Sequence, residues 1–128
     1  MGSGAISWSS HLQTIVALST TEAEFVAAVS ARQEILWLRN LLSEFGYEHS
    51  SASKLQIANL SVLSVAKNPE HHRHMKHLDL HFYWLRDSVE AGTLTPSFIG
   101  TESMPADILT KALARERVVR CREMLGLH

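Results

Sequence analysis

The sequence predicts an α/β domain, a mixed sheet with flanking helices. Three observations carry that reading. Short stretches of alternating apolar and polar residues recur at 5–9, 54–58 and 93–99, as strands require. Between them, apolar residues fall at steps of three and four, as helices require. The longest such segment runs from Ser19 to Gly46 and carries its own start and stop signals.

Length and composition set the limits. The chain has 128 residues, 45% apolar and 20% charged, which suits a single domain, 1–128, with a hydrophobic core. No run approaches the roughly 18 apolar residues of a membrane helix. The N-terminus lacks the basic-then-apolar pattern of a leader. Cys121 stands alone, which excludes an internal disulfide framework and fits a reducing compartment, so an intracellular place, cytoplasm or nucleus, is expected. The net charge of −1 excludes nucleic-acid binding driven by overall charge. The charge is uneven, however. Lys111, Arg115, Arg117, Arg120 and Arg122 crowd the C-terminal end, and five of the eight histidines lie between His71 and His81.

Taken in order, Met1-Gly2-Ser3-Gly4 reads as either a cloning remnant or a glycine turn. Ala5-Ile6-Ser7-Trp8-Ser9 alternates and reads as a strand. Residues 13–18 read as a second strand or an extended lead into the long helix. Ser19 is a good N-cap, and Glu22, three residues on, completes an S-x-x-E capping box. Gly46 is the expected stop. Glu24, Ala28, Ala31, Ile35, Leu38 and Leu42 form one stripe of this helix, with Phe25, Val29 and Leu36 on a second edge. A helix this apolar packs against a sheet. Glu24 is then a carboxylate opening a buried stripe, either paired, at a pocket rim or at a metal site. Trp37 and Trp84 read as core. After a polar loop at 48–53 comes a strand at 54–58 and a short helix at 59–66, ended by Asn68-Pro69. Leu78, Phe82, Leu85 and Val89 give the next helix, ending at Ala91-Gly92. Residues 93–99 form a strand in which Pro96 marks an edge or a bulge. A helix is expected over 106–113, with Pro105 suited to its first turn, and a continuation or restart over 114–125.

Several words of the sequence resemble one family. They are Ala5-Ile6-Ser7-Trp8-Ser9-Ser10, Thr20-Thr21-Glu22-Ala23-Glu24-Phe25, Leu36-Trp37-Leu38-Arg39, Ala66-Lys67-Asn68-Pro69, Lys76-His77-Leu78-Asp79 and Ala106-Asp107-Ile108-Leu109-Thr110-Lys111. Together and in this order they resemble the RNase H domain of copia-type retrotransposon polyproteins, over nearly the whole chain. The resemblance implies an RNase H-like fold that lacks its first two strands. It also implies an ancestry in hydrolysis of the RNA strand of RNA–DNA hybrids. That chemistry needs four carboxylates around two divalent ions, which activate water and stabilise the leaving oxygen. Oxygen ligands suit magnesium or manganese.

Carried over by position, the helix glutamate of the family matches Glu24 and the aspartate near the last helix matches Asp107. The aspartate of the middle strand falls on Ala58, and the first-strand aspartate belongs to a strand that would precede Ala5. The catalytic and metal candidates that the resemblance carries over are therefore Glu24 and Asp107, and a rebuilt metal site could also draw on Asp79 or the histidines. His77 and His81 stand at the i, i+4 spacing of zinc-binding helices, without the glutamate or cysteines such sites carry. Lys76, His77, Lys111, Arg115, Arg117 and Arg120 are the candidates for phosphate contact with RNA, DNA or a hybrid. Two functions are open at this point. One is a catalytically impaired binding module, needing no cofactor. The other is a divalent-metal-dependent ribonuclease with a rebuilt site. A third reading makes the chain a fragment of a longer polyprotein. With the first strand missing, the strand at 54–58 has an open edge. A homodimer is expected, by strand pairing or exchange of an N-terminal segment, with Ile6, Trp8, Ile15, Val16 and Leu18 at its interface.

Overall fold

The structure, a computed structural model, describes residues 3–68 and 79–128. It divides into two compact units: residues 15–98, and the N-terminal residues up to Thr14 together with 99–128. Among the described residues, four α-helices and a two-stranded parallel sheet make a mixed α/β structure.

In the unit of residues 15–98, α1 spans Thr20–Glu44. Ser19 caps it from an extended conformation, its hydroxyl accepting from the Glu22 N–H at 3.1 Å. The Glu22 carboxylate reaches back and accepts from the Leu18 N–H, also at 3.1 Å. This is the expected capping box with its return bond displaced by one residue. At the other end Gly46 takes φ +83°, the Gly46 N–H donates to Ser43 O, and the Tyr47 N–H donates to Leu42 O. These two bonds form a Schellman stop and satisfy carbonyls that the helix leaves open.

The buried stripe of α1 is Glu22, Phe25, Ala28 and Val29. The expected stripe is corrected at its start: Glu24 is exposed and Glu22 is 3% exposed. Two residues along a helix is a turn of about 200°, so the two glutamates cannot share a face. Trp37 is also corrected. It is 56% exposed and not core, whereas Trp84 packs against the core.

β1, Ser53–Ile57, begins one residue before the expected strand. Asn59 follows and caps α2, Leu60–Lys67, its Oδ1 accepting from the Ser61 and Val62 N–H groups. α3 spans Asp79–Glu90, and β2 spans Leu94–Phe98. β2 runs parallel to β1, with Leu55 opposite Pro96 and Ile57 opposite Phe98. A parallel pair needs a crossover, and α2 and α3 lie on it. Phe25, Ala28 and Val29 of α1, Leu55 and Ile57 of β1, Val62 of α2, Leu85 of α3 and Leu94 of β2 close one core. Phe25 and Phe82 stack inside it with ring centroids 4.3 Å apart. Arg32 Nε donates to Ser88 Oγ at 2.8 Å, and Ser88 Oγ donates to Trp84 O, so buried Ser88 has its polar atom satisfied.

The Ser53 N–H donates to Thr93 O. In a parallel ladder of this register, Ser53, Leu55 and Ile57 then face β2, and Thr95 and Ser97 face β1. Pro96 points its missing N–H away from the ladder, onto the outer edge of β2. The edge position expected from the sequence is where a proline costs no ladder bond.

In the other unit, two short 3₁₀ turns, Thr101–Ser103 and Pro105–Leu109, precede α4, Arg115–Met124. Cys121 of α4 is buried. The Ala5 N–H donates to Leu125 O at 2.8 Å, and Ser10 Oγ donates to Leu109 O at 3.0 Å. Two expectations fail here. Residues 5–9 are not a strand, and Ile6 and Trp8 are 65% and 73% exposed. Alternation only prepares a segment for a sheet; a strand exists by pairing, and this segment lies in no ladder. Residues 13–18 form no strand, which leaves the other reading of them, a lead into the long helix. The expected helix over 106–113 is a 3₁₀ turn, Pro105–Leu109, with Pro105 in its first turn as expected. α4 restarts after it.

Candidate functional site

Three places carry the candidate chemistry, two in the unit of residues 15–98 and one in the other. The first is the start of α1. Glu22 stands there on the same face as Phe25 and Val29, at steps of three and four, which is why it is buried. Its carboxylate is held by the Leu18 N–H and sits at the positive end of the helix. The spacing that identifies it is already visible in the sequence, since 22, 25, 29 and 32 form one stripe. Glu24, the candidate carried over from the family, is exposed to solvent instead.

The end of β1 reaches the same helix start. Asn59 Nδ2 donates to Thr21 Oγ1 at 3.5 Å, a long bond that ties the strand end to the first turn. Ala58, between Ile57 and Asn59, has a methyl side chain with no donor atom.

The third place is Asp107, in the other unit. It lies in the 3₁₀ turn Pro105–Leu109 and is 7% exposed. Both carboxylate oxygens are taken. Oδ1 accepts from Lys111 Nζ at 3.0 Å and Oδ2 from Arg117 at 2.7 Å. The same Arg117 nitrogen donates to Thr101 O. Arg117 is therefore turned inward on the face of α4 that also buries Cys121, four residues on. Arg115, Arg120 and Arg122 are exposed, as are Glu116 and Glu123, so α4 presents mixed charge and not a uniformly basic face. Lys111 is half exposed while paired with Asp107.

Lys76 and His77 lie outside the described residues. His81 is half-buried and meets Trp84 edge-on, with centroids 5.4 Å apart. Among the described residues, no three of His, Cys, Asp and Glu gather as a metal-binding group. Among them also, no helix is long and apolar enough to cross a membrane.

No family model and no solved structure matches the chain. Three curated proteins are similar to it over nearly its full length. It is 40% identical over 125 residues, 98% of the chain, to the retrovirus-related Pol polyprotein from transposon TNT 1-94 of Nicotiana tabacum. It is 35% identical over 115 residues, 90% of the chain, to that from transposon RE2 of Arabidopsis thaliana. It is 33% identical over 127 residues, 99% of the chain, to that from transposon RE1 of the same plant. The chain spans only 8 to 9% of the length of these polyproteins. Its homologues are thus retrovirus-related Pol polyproteins of transposons, and the chain corresponds to one small region of them.

Proposed function

We propose that the chain is an RNase H-like domain of transposon Pol origin that has lost two-metal hydrolysis and acts as a binding module for nucleic-acid phosphates. The resemblance of the Thr20–Phe25 and Ala106–Lys111 words and the similarity to Pol polyproteins support the ancestry. The observation that carries the loss of catalysis is the state of Asp107. Two divalent ions bring four positive charges and need a matching cluster of carboxylates. Asp107 already has both oxygens on cations, Lys111 and Arg117, so a metal would have to displace them from a nearly buried site. Glu24 is exposed and Ala58 has no donor atom. The residues present do not fit a two-metal cage, and no hydrolytic step is assigned through one. Arg115 and Arg120, exposed on α4, and half-exposed Lys111 are the groups that can meet phosphates.

The test is cleavage of an RNA–DNA hybrid in magnesium and in manganese. We expect no appreciable cleavage, and none from Ala58→Asp, which adds back one ligand only. A clean preparation that cuts the hybrid and stops cutting on Glu22→Gln or Glu24→Gln would establish the other reading, a ribonuclease with a rebuilt site.

A further inference from the structure

The two-stranded sheet has two outer edges, and they are not equivalent. On β2 the outward backbone positions are Leu94, Pro96 and Phe98, and Pro96 removes the central donor. On β1 they are Lys54 and Gln56, both with side chains exposed. Neither supplies a bond to β2, so the N–H and C=O of each face outward along an edge that pairs with no other strand among the described residues. Leu55 and Ile57 keep their side chains in the core, so the edge is held straight by packing on one face.

We propose that this β1 edge pairs with the β1 edge of a second copy, antiparallel and about a two-fold axis, giving a continuous four-stranded sheet. A second copy is favoured because the edge complements itself. With Leu55 on the axis, Lys54 of one protomer stands directly opposite Gln56 of its partner. The two residues that face outward are then the two that meet, and each such pair exchanges both its N–H···O bonds. Lysine opposes glutamine and not lysine, so no like charges are brought together. Any register displaced by two residues leaves one of these residues without its outward-facing counterpart. The interface is isologous, as a two-fold dimer requires. The edge is only five residues long, so the dimer is weak, with a Kd of about 10 to 100 μM expected.

Sedimentation equilibrium over about 5 to 500 μM tests this on three variants of one exposed position. Gln56→Glu places a carboxylate opposite each Lys54 and should tighten the dimer; Gln56→Lys opposes like charges and should loosen it. Each change should be about twofold to thirtyfold in Kd, since the pair occurs twice. Gln56→Pro removes the outward donor and should leave monomer; far-UV circular dichroism matching the parent chain shows that it is folded. A chain that is monomeric at every concentration overturns the proposal. So does a dimer whose Kd is the same in the Glu and Lys variants, because its interface is elsewhere. The result is independent of the nuclease assay, since no residue of this edge belongs to the candidate carboxylate sites.

Discussion

Glu22 and Glu24 are two residues apart and have opposite fates. Glu22 is buried with its carboxylate on the Leu18 N–H, and Glu24 is in water. Removing the charged acceptor of a part-buried hydrogen bond costs about 1.5–3 kcal/mol, whereas an exposed helix residue changes stability by less than about 0.5 kcal/mol. Glu22→Ala should therefore lower the urea midpoint of unfolding clearly, and Glu24→Ala should leave it nearly unchanged. Equal effects would show that Glu24 has a partner in the folded chain. Asp107 teaches the same lesson from the other side. A lone aspartate beside a helix start is ambiguous in sequence, because whether it is a ligand or a counter-ion depends on which cations fold onto it. Lys111 is four residues away and foreseeable. Arg117 is ten residues away, and its charge alone marks it as a phosphate contact and not as the partner of Asp107.

The elements that local chemistry specifies are the ones that formed as expected. α1 has a hydroxyl cap, an acid at its start and a glycine past its end, and its bounds follow from those three residues. Ser19→Ala should cost about 1 kcal/mol through the lost cap. Gly46→Ala should cost about 1 kcal/mol through backbone strain alone, because φ is +83° and no atom lies within 4 Å of an added Cβ. Urea unfolding followed at 222 nm reads both, and Gly46→Asn, tolerant of this conformation, should recover part of the second loss. α2 is likewise announced by Asn59, and β1 and β2 by alternation with a core face. Residues 5–9 alternate just as well and form no strand, because alternation supplies a face and not a neighbour.

For the molecule as a whole, nucleic-acid binding should be weak, indifferent to sequence and steeply weakened by salt, since it rests on a few phosphate contacts. Fluorescence anisotropy with a labelled hybrid should show log K falling with log salt at a slope of about −1 to −3. Arg115→Glu with Arg120→Glu should abolish binding while leaving the fold intact. Arg117→Glu should instead destabilise, because it would set a second carboxylate against buried Asp107. Binding that survives the double change places the site elsewhere. By itself, the sequence determined the class of the structure, the bounds of its long helix, the positions of its two paired strands and the similarity to transposon polyproteins. Each of these rests on residues close together in the chain or on words of sequence. Tertiary structure alone decided that Arg117 joins Lys111 on Asp107, that Trp37 faces water and that residues 5–9 pair with no strand. Those outcomes depend on the phase of a helix against its core, and on groups brought together from distant parts of the chain.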